Sequence, residues 1–251
     1  MSIAETFKNT LGTSANNFLF MSATPPSKKA LASLLEINEA DIEYIYVPNS
    51  FPVANRPIFH TGKFDLSYKN IDKNLPDVVE EVDEIIAIHK GDSVLIHSGN
   101  YKIAMYIKEH SKYSKDIICP TTANRMEGLE LFKTKKGSIL VSPSLMEGIS
   151  LDGDFCRVTI VVKVPFGSLA DARTQQIVKR YPARYAEDAA RKVVQGCGRG
   201  VRSEDDWAWT YILDRDFSRV KEYTPNWFKE ALFSSPGEFL SKYSEQITYL
   251  S

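Results

Sequence analysis

The chain has 251 residues, 43% of them hydrophobic and 25% charged, with a formal net charge of -1. That is the composition of an ordinary globular protein with enough apolar surface for a sizeable core. The near-zero charge excludes a global basic field that would advertise nucleic-acid binding, although Asp77 to Glu84 is acidic and Arg173 to Arg202 mostly basic. The three cysteines, Cys119, Cys156 and Cys197, form no Cys-x-x-Cys pair or Cys/His cluster. They read as reduced thiols of a cytosolic protein without a zinc or iron–sulfur site. No apolar run approaches the roughly 20 residues that span a bilayer, and Met1 to Glu5 does not open a signal peptide.

In chain order, Asn17 to Met21 reads as a short strand stopped by Pro25 and Pro26. Ser27 is the expected N-cap of a helix from Lys28 to about Glu36, and Glu43 to Val47 reads as a strand. Pro48 to Pro57 is a Pro-rich loop. Apolar periodicity predicts a long helix from about Leu75 to Lys90, ended by Gly91. Ser93 to His97 is a compact strand, followed by a helix over Lys102 to His110. Asp116 to Cys119, Ser138 to Val141, Arg157 to Val162 and Trp207 to Leu213 read as further strands. The intervening helices fall near Ala123 to Phe132, Leu169 to Tyr181 and Tyr185 to Gly196, with short helices after Phe217. Apolar strands alternating with helices predict an α/β fold, a mostly parallel sheet with helices on both faces. Ligands of such sheets sit at the carboxyl ends of the strands. The polar loops after His97, Val141, Val162 and Leu213 are placed there.

The stretch Gln195-Gly196-Cys197-Gly198-Arg199-Gly200-Val201-Arg202 has the form Gln-x-x-Gly-Arg-x-x-Arg. At helical spacing Gln195, Arg199 and Arg202 share a face. The glycines imply that the helix ends there or that another backbone comes close. Two guanidiniums and a carboxamide suit bidentate recognition of phosphate oxygens; the plain alternative is a solvated helix end.

An ordered set of motifs resembles the second motor domain of superfamily 2 helicases, nearest the XPD/DinG branch. Ser22-Ala23-Thr24-Pro25 resembles the Ser-Ala-Thr motif that closes the first motor domain. Asn49-Ser50-Phe51-Pro52 through Asn55-Arg56 resembles the Ser-Pro-Phe…Asn-Arg stretch that follows it. Leu95 to Tyr101 resembles the strand-loop motif ending in Ser-Tyr. Glu147-Gly148-Ile149-Ser150-Leu151 with Gly153-Asp154 resembles Glu-Gly-Ile-Asp-x-x-Gly-Asp, with Ser150 in place of the usual Asp. Val164-Pro165-Phe166, the Gln195 motif and Asp214-Arg215-Asp216-Phe217 complete the series.

The resemblance implies a RecA-like fold. Residues 1–26 would be the end of a first motor domain, and 27–251 a helicase C-terminal domain with short C-terminal helices. It implies that Arg199 and Arg202 meet the γ-phosphate of ATP, with Gln195 in the same cleft and Glu147, Gly148 and Gly198 lining it. Ser98, Tyr101, Arg173 and Arg180 are the implied nucleic-acid contacts. The sequence holds no Gly-x-x-x-x-Gly-Lys-Ser/Thr loop and no Asp-Glu-x-His box. The expectation is therefore half of an ATP site, inactive alone, with no metal ligands of its own. ATP and Mg2+ would be shared with a first RecA-like motor domain in cis or in trans, acting on single-stranded DNA. The implied location is cytoplasmic or nucleoid-associated, or nuclear in a eukaryote, with no membrane partner. The alternative is a non-catalytic, helicase-derived module that binds nucleic acid or protein.

Overall fold

A computed structural model describes residues 3–143, 151, 153–198 and 200–249. The chain divides into two compact units, the first ending at Asn49 and the second beginning at Ser50. The first unit carries helices α1 (Ile3–Asn9) and α2 (Lys28–Leu35). Ser27 caps α2 as expected, its hydroxyl oxygen accepting from the Ala30 N–H at 3.2 Å. The runs Asn17 to Met21 and Glu43 to Val47 are not strands; among the described residues no strand precedes Ile58. Apolar, β-branched composition is not sufficient for a strand, because a ladder needs a neighbour and this unit has no sheet to supply one.

The second unit holds the sheet. Its elements are β1 (Ile58–Phe64), α3 (Ile71–Ile88), β2 (Val94–His97), α4 (Tyr101–His110), β3 (Ile117–Ile118), α5 (Arg125–Thr134) and β4 (Ile139–Ser142). Then follow β5 (Val158–Val161), α6 (Ala172–Arg180), α7 (Pro182–Cys197), β6 (Trp209–Asp214), α8 (Asn226–Glu230), β7 (Leu232–Phe233) and α9 (Pro236–Tyr243). Seven strands lie in the order β3-β4-β2-β5-β6-β1-β7, and every recorded pairing is parallel. This is the expected α/β architecture.

Side-chain alternation along each strand assigns the two faces. Val94 and Ile96 of β2 pack with Val78, Val82 and Ile85 of α3 and with Ile103 and Ile107 of α4. Leu95, between them, points the other way, toward Leu129 and Phe132 of α5. On that same side Val161 and Ile212 pack with Ala190, Val193 and Val194 of α7. Both faces are therefore covered, which is why the central strands read as unbroken apolar runs.

Two strands escape sequence pattern. β1 contains His60, Gly62 and Lys63, and its register against β6 shifts between His60 and Phe64. Gly62 there takes φ +58°, the left-handed region that glycine tolerates. β7 is two residues long and exists by pairing with β1.

Aromatic packing fastens the C-terminal elements to the sheet. The Phe59 ring lies 5.1 Å from Trp209, 5.0 Å from Tyr211 and 5.9 Å from Phe239 of α9. Phe239 is fully buried. Phe239→Ala is expected to lower the unfolding free energy by about 3–5 kcal/mol through lost transfer energy and the cavity left behind. Chemical denaturation of the two proteins measures it; an unchanged midpoint would detach α9 from the core.

Candidate functional site at two edges of the sheet

In a parallel sheet the chain leaves each strand at its carboxyl end and returns, through a helix, to the amino end of the next. The Gln195 motif lies on such a return. α7 ends at Cys197, with Gly198 as its C-cap donating its N–H to the Val194 carbonyl at 3.1 Å. Arg202 therefore sits in the loop after the helix, and the helical face expected to align it with Gln195 does not extend that far. Gln195 is half-buried in the last turns of α7. The loop reaches the amino ends of β5 and β6, so the rule that places ligands at carboxyl ends does not cover this motif.

Three contacts pin the loop. Gly200 packs so tightly that a Cβ there would lie 2.5 Å from both the Cys156 carbonyl oxygen and the Ala208 Cβ. This is the close backbone approach that the glycines predicted. Asn55 donates its side-chain amide to the Glu204 carbonyl at 2.6 Å. Asp206 then gathers the rest. One carboxylate oxygen accepts from Arg157 Nη1 at 2.6 Å, and the other accepts from the Arg202 N–H at 3.2 Å and the Gly153 N–H at 3.3 Å. Arg157 also donates to the Trp207 carbonyl at 2.7 Å and lies over the Trp207 ring at 4.7 Å. Trp207 stacks on Tyr249 at 4.5 Å, and the Tyr249 hydroxyl donates to the Ala54 carbonyl at 2.6 Å. Burial pushes that phenol up to about 12.

The consequence is a sorting of arginines. Arg157 is enclosed by Asp206 and Trp207, whereas Arg202 is exposed. Among the described residues the Arg202 guanidinium makes no ion pair; only its peptide N–H is used. Arg199, Glu147 and Gly148 lie outside the described residues. Asp154 accepts from Lys136 at 3.1 Å and from Arg157 Nε at 3.2 Å, and these bonds, Lys136 first, hold its carboxyl below the usual range. Arg56, one residue from Asn55, is structural: it donates to the carbonyls of Phe51 at 2.9 Å and Trp227 at 2.7 Å.

At the carboxyl edge the expected pair Ser98 and Tyr101 separates. Ser98 is fully buried. Its hydroxyl lies 3.0 Å from the carbonyl oxygens of both Asn100 and Ser142, and its N–H donates to Ser142 at 2.9 Å. Ser98 thus joins β2 to β4, with its hydroxyl and amide both engaged inside the protein. Tyr101 is 45% exposed, with its hydroxyl 2.6 Å from Thr122 Oγ1. It opens α4, whose N-cap Asn100 accepts from the Ile103 N–H at 2.9 Å. A cleft of about 380 Å³ lies beside Tyr101, lined also by Thr121, Thr122, Arg125 and Pro143.

Sequence reasoning missed Arg125. It is half-buried in this cleft without an ion pair among the described residues. A single arginine opening a helix after Pro120-Thr121-Thr122 gives no signal until β3 and β2 bring the loop beside Tyr101. Arg173 and Arg180 lie two turns apart on α6, a helix with no buried residue, and belong to neither edge cluster. The Asp214 to Phe217 tail is internal. Asp214 accepts from Val164 N–H at 2.9 Å and Asp216 N–H at 3.0 Å, burial pushes its carboxyl up, and Phe217 is fully buried. Arg215 pairs with Asp65 at 2.7 Å. The Asp65 carboxyl is held at about 2, chiefly by hydrogen bonds from Ser67 and then Asn70. Among the described residues no cluster of three His, Cys, Asp or Glu could hold a metal ion.

Residues 83–231 match the model of the helicase C-terminal domain. An ATP-dependent DNA helicase, CHL1 of Eremothecium gossypii, is 26% identical over 124 residues, covering 40% of this chain and 16% of that protein. The ATP-dependent DNA helicase DinG of Photobacterium profundum is 33% identical over 92 residues, covering 33% of this chain and 13% of that protein. The chain thus spans a small part of the curated relatives it matches. The solved structure of S. tokodaii Xpd4 shares the fold with a TM-score of 0.61 at 16% identity, over 90% of this chain and 46% of that one. The matched span takes in β2 to α8, with Tyr101, Arg125, Arg157, Arg202 and Asp206, and the chain belongs to the helicase C-terminal domain family.

Proposed function

We propose that the chain is the second motor domain of an ATP-dependent DNA helicase and that its two sheet edges divide the work. The amino edge, through Arg202 and Arg199, meets the γ-phosphate of ATP held by a first motor domain. The carboxyl edge, through Tyr101 and Arg125, holds part of a single DNA strand. The observation that carries this reading is the Arg202 loop: anchored through Asp206, yet with the Arg202 guanidinium making no ion pair among the described residues.

Phosphoryl transfer accumulates charge on equatorial oxygens and asks for a preorganised cation rather than a proton donor. Arg202 fits that demand because its backbone is fixed while its side chain remains available. Gln195, Gly198, Glu147 and Gly148 line the same cleft in this account. In this reading ATP bound by the first domain supplies the phosphoryl group, and Mg2+ is held there too. On the other edge an aromatic ring, a threonine pair and an arginine can stack on a base and hold a phosphate. Arg173 and Arg180 extend the basic path along α6.

The first unit supports a neighbouring motor domain. Leu19, Met21, Ile45 and Val47 are 79%, 85%, 73% and 79% exposed. Runs of β-type side chains left open in this way fit strands whose sheet lies in another domain. We assign residues up to 26 to the end of that domain. No described helix is long and apolar enough to cross a membrane. A cytoplasmic or nucleoid-associated setting, or a nuclear one, suits the DNA substrate.

The division of labour gives three expectations. In the complete two-domain enzyme Arg202→Ala is expected to lower ATP turnover by about a thousandfold with a smaller effect on ATP affinity. Steady-state kinetics test this, and unchanged turnover refutes the arginine's role. Tyr101→Ala is expected to weaken single-strand affinity by about 1–3 kcal/mol, read by fluorescence anisotropy, while basal turnover without DNA persists. Equal affinity of the two proteins would remove the stacking contact. Asp206→Ala leaves Arg157 without its buried partner and is expected to cost about 3 kcal/mol of stability. It should also lower turnover; a variant of full stability and full turnover would show that the loop needs no anchor.

A further inference from the structure

A second cleft, of about 520 Å³, lies at the amino ends of β2, β3 and β4, beneath the carboxyl ends of α3 and α5. Lys90, Lys115 and Lys135 line it, and among the described residues none of the three has a carboxylate partner. Two carboxylates face it as well. Asp92 lies 3.6 Å from His89 Nδ1, and Asp116 sits beside β3. The floor is apolar, made by Ile117 and Ile139 at the strand starts and by Leu131, which is 57% exposed. Gly91 and Gly137, at φ +98° and +76°, form the turns between. A Cβ on Gly137 would approach the Gly91 carbonyl oxygen to 3.2 Å, while one on Gly91 would meet nothing. The turns thus touch each other and leave the cleft open.

We propose that this cleft docks an acidic peptide segment, studded with apolar side chains, from a partner protein. The chemistry decides between candidate anions. Lys90 and Lys135 follow the carboxyl ends of α3 and α5, where a cation offsets the helix dipole. Lys115 lies in the turn after α4, beyond the last turn where that dipole acts, and the dipole does not account for an exposed Leu131 in the same cleft. A nucleic-acid backbone would leave that apolar floor wet. A peptide carrying leucine or phenylalanine anchors between carboxylates covers the floor and meets the lysines together. The site is separate from the Arg202 loop and from the Tyr101 cleft, and it does not depend on the helicase reading.

The test is anisotropy of a fluorescein-labelled peptide of about twelve residues in which Leu and Phe alternate with Asp and Glu. The chain is expected to bind it. The double variant Lys115→Glu, Lys135→Glu and the single variant Leu131→Asp should each weaken binding about tenfold or more. Lys69→Glu, an exposed control, and Arg202→Ala should leave it unchanged; loss of binding in either would place the contact elsewhere. Circular dichroism verifies that each variant is folded. A peptide with Ser in place of Leu and Phe should bind at least about tenfold more weakly. Absence of binding by the amphipathic peptide, equal binding by the groove variants, or equal binding of the Ser peptide overturns the proposal. So does a single-stranded oligonucleotide that competes through Lys115 and Lys135 but not Leu131. Binding that disappears in the complete two-domain enzyme would assign the groove to an intramolecular contact and overturn it too.

Discussion

The arrangement depends on one buried ion pair. Arg157 and Asp206 meet at 2.6 Å with their side chains only 13% and 10% exposed. A pair so placed is costly to desolvate and tolerable only when its remaining hydrogen bonds are satisfied. They are: Asp206 also accepts from Arg202 and Gly153, and Arg157 also donates to Trp207 and Asp154. The pair is best understood as a specificity device. It couples the start of β5, the start of β6 and the loop after α7, and it decides which arginine is internal and which remains available. Swapping those roles would leave a buried guanidinium unpaired and the loop unanchored.

Parallel topology explains why the proposed functional residues divide between two edges. Strand ends that launch helices lie on the carboxyl side, where Tyr101 and Arg125 border one cleft. Helix returns lie on the amino side, where the Arg202 loop is fastened. The sheet lies between the two, buried on both faces and continuous through β2, β5 and β6. In the proposed motor, a change at the phosphate side reaches the strand side through this sheet as a rigid-body movement.

Much of this was readable in the residues, for identifiable reasons. Ser27 and the apolar period of α3 announced helices because capping and amphipathicity are local properties. The central strands announced themselves because both of their faces are buried. What failed was what depends on distant neighbours. Asn17 to Met21 and Glu43 to Val47 have strand composition without a ladder to join, while β1, with His60 and Gly62, lacks the composition but has β6 and β7 beside it. Nor does the sequence reveal that the Ser98 hydroxyl meets the Ser142 carbonyl of the neighbouring strand, 44 residues away. Asn55 gave no hint that it holds Glu204, which is 149 residues away. The glycine of the motif at position 200 was legible as a close approach, though not which backbone approaches.

The most direct test of the central claim is reconstitution. ATP hydrolysis is measured for this chain alone, then after joining it to a first motor domain that carries a phosphate loop, each with and without single-stranded DNA. The account predicts negligible turnover for the chain alone and DNA-stimulated turnover for the joined protein. Robust, DNA-stimulated hydrolysis by the chain alone would contradict it, because a complete ATP site would then have to exist where only the arginine side is proposed.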